Sequence, residues 1–277
     1  MTTDAQIAKY PQHFRTVTRR RVITITVLTL LLGLLIFSFY RLDFSATRIF
    51  TGLSKLFDVT RLMFPPDPGW GPTLLRYLHA MVETVAIAFL GTLIAALLAF
   101  PLASLAARNT SINRLVHFLA RRTFDTLRGV DTLIWALIWI NVVGLGPFAG
   151  VLAIICSDLG SFGKLFSEAI EAADRKPVEG ITSTGGSRIQ QIRFGIVPQV
   201  LPVFLSQVLY YFESNTRSAT IIGIVGAGGI GLILSEQIRT LEFQQVSFVI
   251  LMILVTVSAI DWLCSKLRFK VIGQPQH

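Results

Sequence analysis

Three polar residues inside an apolar segment are the first candidates for chemistry in this sequence. Glu213, Asn215 and Arg217 lie between Val200 and Val225, where most other residues are apolar or small. Glu213 and Arg217 have the i,i+4 spacing at which opposite charges meet on a helix. Two interpretations are open: an ion pair that only steadies the helix, or a polar patch that presents Arg217 to an anionic solute.

A second polar pair with the same spacing is His79 and Glu83. It lies near the predicted outer end of another long apolar run. At that depth, contact with water at a membrane surface and contact with a transported solute are both open interpretations.

Residue sets typical of catalysis are missing from the sequence. It has no His-Glu-x-x-His motif, and no Ser, His and Asp set or carboxylate pair falls in one cavity-like segment. Cys156 and Cys264 lie in or beside apolar runs without a second ligand at metal spacing. We therefore expect no enzyme activity, no metal site and no cofactor in this chain.

A glycine-rich stretch resembles a nucleotide-binding pattern only in its spacing. Gly226, Gly228 and Gly231 satisfy Gly-x-Gly-x-x-Gly, but no alternating strands and helices surround them, and no acidic residue follows at about 20 positions. Together with Gly229, they predict a backbone turn that packs closely within a broken helix at the outer face. We expect this turn to form part of an outer gate.

Membrane-spanning helices are the elements that must position these residues. Of the 277 residues, 52% are hydrophobic and only 15% are charged, and the apolar residues fall in long runs. Residues 22–40 are uncharged and would reach roughly 28 Å as a helix, which is enough to cross the hydrocarbon core. The sequence predicts an all-α, polytopic transmembrane bundle of about six spans.

Basic residues predict the topology of these spans. The net charge is +9, and the Arg and Lys residues cluster beside the apolar runs, which favours membrane orientation over nucleic-acid binding. We predict a cytoplasmic N-terminal segment (1–21), a first transmembrane helix (22–40), an external connection (41–80), a core (81–265) and a cytoplasmic tail (266–277). Within the core, we expect an arginine-rich cytoplasmic loop after residue 107, two spans between 132 and 166, and a last span at 246–263.

The polar segment 171–199 carries the most specific pattern, and we expect it on the cytoplasmic side. Glu179-Gly180-Ile181 is followed after three residues by Gly185, and then by a basic amphipathic stretch ending in Ile196-Val197-Pro198. Gly185 can adopt the positive φ of a sharp turn between two short helices, and Pro198 can open the following span. The apolar side would be supplied by Ile181, Ile189, Ile192 and Ile196, of which the last three are at helical spacing.

This pattern resembles the cytoplasmic coupling motif of bacterial ATP-binding cassette importer permeases, which reads Glu-Ala-Ala, three residues, Gly, nine residues, Ile, one residue, Leu-Pro. The spacing from Glu179 through Gly185 to Pro198 matches, whereas Gly180, Ile181, Gly195 and Val197 differ from its most common residues. The resemblance implies a type I importer permease fold. It also implies that an ATPase contacts the residues Glu179, Gly180, Gly185, Ser187, Arg188 and Pro198.

Other phrases are similar to phosphonate importer permeases, namely 177–187, 101–109 and 223–231. This resemblance implies phosphonate as the substrate, with phosphate or phosphite as further candidates. It implies four partners: a second copy of the chain, the lipid bilayer, an ATPase dimer that holds ATP and Mg, and an external phosphonate-binding protein. It also implies the bacterial plasma membrane, with both termini in the cytoplasm. A permease for methionine or glycine betaine and a non-transporting membrane scaffold remain alternatives, with a membrane enzyme third.

Overall fold

The computed structural model describes residues 11–42 and 45–272, and every regular element within those two ranges is helical. The predictions for residues 1–10 and 273–277, at the ends of the N-terminal segment and the tail, lie outside the described residues. The chain divides into two compact units, residues 1–61 and 62–277.

The first unit contains the first predicted span and an amphipathic helix. Helix α1 is Pro11–Arg41, and its apolar stretch Arg20–Arg41 has no buried residues, as suits a lipid-facing helix. Helix α2 is Ala46–Leu62. Ile49, Leu53 and Leu56 follow one side of α2, a pattern typical of helices that lie in a membrane interface.

The second unit begins with the longest helix, α3, Pro72–Ala106. Pro72 occupies the first turn of α3, where its fixed φ suits a helix start and its missing N–H leaves no intrahelical bond unmade. Because the helix begins there, the predicted boundary between the external connection and the core at residue 81 lies inside α3.

The arginine-rich stretch predicted as a loop is helix α4, Arg114–Arg128. Asn113 caps it, since its Oδ1 accepts a hydrogen bond from Val116 N at 2.8 Å. The next helix, α5, is Thr132–Val143, and the axes of the two differ by 88°. Twelve residues reach only about 18 Å, so α5 alone is too short for the span expected there.

Three further long helices complete the unit. They are α6 (Pro147–Ala172), α9 (Val197–Ile224) and α11 (Phe243–Ile272), and the short helix α10 (Ile230–Arg239) precedes α11. The first residues of the predicted tail, 266–272, therefore continue the last helix. By length and composition, the described residues hold five helices able to cross a membrane, or six when α4 and α5 count as one bent span.

Close packing around α6 depends on small residues, as is common between membrane helices. A Cβ on Gly160 would lie 2.6 Å from the Arg128 backbone nitrogen, and one on Gly163 would overlap the Phe124 ring. On the neighbouring side, a Cβ on Gly91 would lie 2.7 Å from Ile154 Cβ. These glycines let α3 and α4 approach α6 closely.

Candidate functional site

Residues 174–199 form a helical hairpin that protrudes from the spanning helices. Its first helix, α7, is Arg175–Ser183, capped by Asp174, whose Oδ1 accepts from Lys176 N at 3.1 Å. It ends in a left-handed turn at Gly185, with φ +78°. Gly185 N donates to Thr182 O and Gly186 N donates to Ile181 O, both at 3.0 Å, which is the Schellman pattern of helix ends.

The returning arm of the hairpin merges with a span. Ser187 N donates to Gln190 Oε1 at 2.7 Å at the start of α8, Arg188–Gln190, which leads through a wide π turn, Gln191–Ile196, into α9. Pro198 lies in the first turn of α9 and has no N–H to donate. Gln199 Nε2 donates to Gly195 O at 2.6 Å, and the helical run continues from Arg188 to Ile224.

Hydrogen bonds fix the hairpin to the bundle at one place and join its two arms at another. Arg188 Nη2 donates to Thr110 O at 3.0 Å and to Ser111 O at 2.8 Å, in the segment that follows α3. Gln199 Oε1 accepts from Asp174 N at 3.0 Å, and Gln199 Nε2 donates to Asp174 O at 3.1 Å. The hairpin is therefore attached to the segment after α3 and closed at its base, where it joins α6 to α9.

The outward face of the hairpin is polar in α7 and apolar in its second arm. Glu179 and Gly180 are exposed, and Glu179 forms no ion pair within the described part of the chain. Ile189, expected on the inner apolar side, is 77% exposed, and Phe194 is 60% exposed. Ile192 and Ile196 turn inward onto the core, and Ile181 packs inside the hairpin, 3.4 Å from a Cβ built on Gly195. An exposed surface that combines charged and apolar side chains is suited to a protein partner.

Glu213 pairs with two arginines. Its Oε1 lies 3.2 Å from Arg217 Nη1, and its Oε2 lies 3.0 Å from Arg268 Nη2. The i,i+4 pair of Glu213 and Arg217 expected from the sequence is present. Arg268, which the sequence analysis places in the tail, lies in α11 and is a second partner of Glu213. The Glu213 side chain is 11% exposed and that of Arg217 is 49% exposed. The cluster therefore carries one excess positive charge beside an open face of α9.

Asn215 belongs to a separate, buried polar cluster. Its Nδ2 donates to Thr92 Oγ1 at 2.8 Å and also to a carboxylate oxygen of Asp158. The three residues come from α9, α3 and α6 and are all buried. Neither Asp158 nor Thr92 is among the functional residues expected from the sequence. Asp158 could have been found, because a carboxylate within the apolar part of a spanning helix is rare and marks a functional candidate.

The structure gives His79 and Glu83 different surroundings. His79 is exposed, whereas Glu83 Oε1 accepts a hydrogen bond from Gly229 N at 3.0 Å. Next to it, Thr84 Oγ1 accepts from Ile230 N at 2.8 Å. Glu83 and Thr84 therefore satisfy backbone donors at the start of α10, where a negative charge is also favourable.

The glycine-rich turn is buried and needs glycine for two different reasons. Gly226, Gly228 and Gly229 have φ of +107°, +83° and +74°. Gly231 is in α10, where a Cβ would overlap Thr220 O. Gly146 N donates to Gly226 O at 3.0 Å, which joins the turn to the connection between α5 and α6. The turn is thus packed among α3, α9 and that connection.

Replacing Gly231 with alanine should lower the free energy of unfolding by about 1–3 kcal/mol, because the added methyl forces α10 away from α9. Thermal unfolding of the purified chain measures this loss. Gly180→Ala is the control, since nothing lies within 4 Å of a Cβ there. Equal unfolding temperatures for both variants would contradict the close approach at Gly231.

Comparison with known proteins places the chain in a family. Residues 99–271 match the family described as binding-protein-dependent transport system inner membrane component. HtxC of Stutzerimonas stutzeri, a permease protein named for phosphite transport, is 39% identical over 87% of this chain and 84% of its own length. PhnE2 of Escherichia coli, named for cryptic phosphonate transport, is 49% identical over 43% of this chain and 97% of its own length.

A solved structure supports the fold. The inward-facing MetNI methionine ABC transporter has a chain that matches with a TM-score of 0.63 at 17% identity, covering 72% of this chain and 98% of that chain. The predicted type I importer permease-like bundle is thereby confirmed. The chain belongs to the binding-protein-dependent transport system inner membrane components, and it is a permease subunit of an ATP-binding cassette importer.

Proposed function

We propose that this chain carries phosphonate into the cytoplasm, with phosphate and phosphite as further candidate substrates. Two copies would form the pathway in a bacterial plasma membrane, with all termini in the cytoplasm. A separate ATPase dimer that holds ATP and Mg would supply the energy, and an external phosphonate-binding protein would deliver the substrate. The names of the relatives support the oxyanion class.

The observation that carries this proposal is the braced hairpin with an exposed outer face. ATP-driven movement of an ATPase against Glu179, Gly180 and the neighbouring turn would displace the hairpin as one body. Because Arg188 attaches it to the segment after α3 and its second arm continues into α9, that displacement would reach the spanning helices. Coupling also requires that the two conformations of the permease differ in affinity for the ATPase or its nucleotide.

Arg217 is the proposed contact for the anionic substrate. Its guanidinium is half-exposed although it lies within a span, so a second protein surface or water must cover it. Glu213 is shared with Arg268, which leaves the cluster with an excess positive charge that an anion can neutralise. Asn215 faces the buried cluster and Glu83 faces the glycine turn, so both act as supports around the pathway, and the turn would belong to the outer gate.

Reconstitution tests the proposal directly. The chain, its candidate ATPase and its candidate binding protein are placed in vesicles, and accumulation of labelled phosphonate is measured with and without ATP. Uptake that unlabelled phosphonate suppresses, and that methionine and glycine betaine do not, is the expected result. Stable ATPase binding without any uptake would instead indicate a scaffold.

Replacing Arg217 with glutamine should raise the KM for phosphonate about tenfold, since a hydrogen bond to a charged group contributes about 1.5–3 kcal/mol. Initial uptake rates at several substrate concentrations separate KM from the maximal rate. Arg76→Gln, which removes an exposed pair with Glu236, is the matched control. If Arg217→Gln lowers only the yield of folded protein and leaves KM unchanged, the residue is structural.

A further inference from the structure

A cavity lined by basic side chains opens beside the segment that holds the hairpin. Its volume is about 520 Å³, and it lies between the end of α3 and the start of α4. The residues that line it are Arg108, Ser111, Asn113, Arg114, His117 and Phe118. None of these six side chains is acidic.

The arginines of this cavity are not paired with any carboxylate that the structure describes. Arg108 and Arg114 form no ion pair among the residues that the structure describes. The neighbouring carboxylate, Glu171, pairs with Arg121 at 3.0 Å and accepts the Arg108 backbone N–H at 2.8 Å. His117 Nδ1 is shielded from solvent and has no hydrogen-bond partner within the described residues. The cavity therefore offers guanidinium and imidazole groups that lack a partner of their own.

We propose that this cavity binds a tetrahedral phosphorus oxyanion, supplied either by the headgroup of an anionic lipid or by free phosphate. Two guanidinium groups suit such an anion because each can form two parallel hydrogen bonds to its oxygens. Leu115, Phe118 and Leu119 are exposed on α4, so an acyl chain could lie beside the same helix. Basic pockets next to spanning helices commonly bind lipid headgroups.

An anion in this cavity would act on the hairpin through one short segment. Ser111 lines the cavity, and its carbonyl oxygen accepts the hydrogen bond from Arg188 Nη2. An anion that joins Arg108 to Arg114 would hold residues 108–114 in place, and with them the anchor of the hairpin. This role needs no ATPase. Phosphate is also a candidate substrate, so variants of Arg108 and Arg114, which lie outside the Arg217 cluster, separate this site from the proposed pathway.

Thermal unfolding of the purified full chain tests the site. One arm titrates inorganic phosphate against sodium chloride at equal ionic strength, and the other titrates phosphatidylglycerol against phosphatidylcholine in mixed micelles. We expect saturable stabilisation in at least one arm. Stabilisation by phosphate alone identifies free phosphate as the source, and stabilisation by phosphatidylglycerol alone identifies the lipid.

Variants then locate the binding. Arg108→Gln and Arg114→Gln should each raise the ligand concentration for half-maximal stabilisation at least tenfold. Arg114→Lys keeps the charge but loses the planar guanidinium, so its half-maximal concentration should be intermediate. Arg128→Gln is the control on α4, since Arg128 is exposed and does not line the cavity. The proposal is overturned if neither ligand stabilises the wild-type chain beyond its control, or if Arg128→Gln weakens binding as much as the other two. Arg114→Lys keeps the test decisive if a glutamine variant does not fold.

Discussion

Replacing Gly185 with valine should lower ATP-driven uptake more than tenfold while the chain still inserts into the membrane. Gly185 has φ +78°, where a β-branched residue is strongly disfavoured and the left-handed conformation costs about 1–2 kcal/mol even for smaller side chains. If valine at position 185 adopts a negative φ to relieve this strain, the hydrogen bonds from the backbone nitrogens of residues 185 and 186 that close the hairpin are broken. The exposed face would then no longer match an ATPase surface.

Gly180 provides the matched control for this prediction. It lies in α7 of the same hairpin, and nothing lies within 4 Å of a Cβ built on it. Gly180→Ala adds a methyl at a proposed ATPase contact but leaves the turn intact, so co-purification of the ATPase and uptake in vesicles should fall much less than with Gly185→Val. Normal uptake by Gly185→Val would remove the hairpin from the coupling mechanism.

Replacing Glu213 with alanine should destabilise the chain by about 3 kcal/mol, the cost typical of removing one partner of a buried ion pair. Both Arg217 and Arg268 lose their carboxylate, and Arg268 Nε is already shielded without a partner among the described residues. The large effect thus arises from two charges left behind within the spanning helices.

An exposed pair of the same chemistry measures what is specific to Glu213. Arg76 and Glu236 are 2.7 Å apart, with side chains 59% and 45% exposed. Glu236→Ala should therefore cost less than about 1 kcal/mol. Thermal unfolding of both variants in detergent gives the comparison, and similar losses for the two would show that Glu213 is solvated rather than confined.

Local features of the hairpin could be predicted from the sequence because they depend on neighbours along the chain. The positive φ of Gly185 and the place of Pro198 in the first turn of α9 follow from spacing and from the conformations open to these two residues. The membership of the family and the spanning helices follow from patterns of the same kind, and the comparisons confirm them.

Contacts between distant helices could not be predicted in this way. The partners of Asn215, namely Thr92 and Asp158, lie 123 and 57 residues away, and only packing of three helices brings them together. Arg268 looked like part of a solvated tail because no local signal shows that α11 continues past Leu263. The helical form of α4 was missed because its many arginines suggested a loop, whereas its apolar face packs on α6 through Phe124.

The π turn Gln191–Ile196 separates the exposed Ile189 from Arg217 within one continuous helical run. Each residue of an α-helix contributes about 100° of rotation about the helix axis, and a π turn accommodates one additional residue without interrupting the helix. Deleting one residue outside this turn would rotate Ile189 by about 100° relative to Arg217, whereas deleting one residue within it would restore ordinary α-helical winding with little net rotation. The turn therefore adds one residue between the exposed Ile189 and Arg217 while keeping their relative orientation.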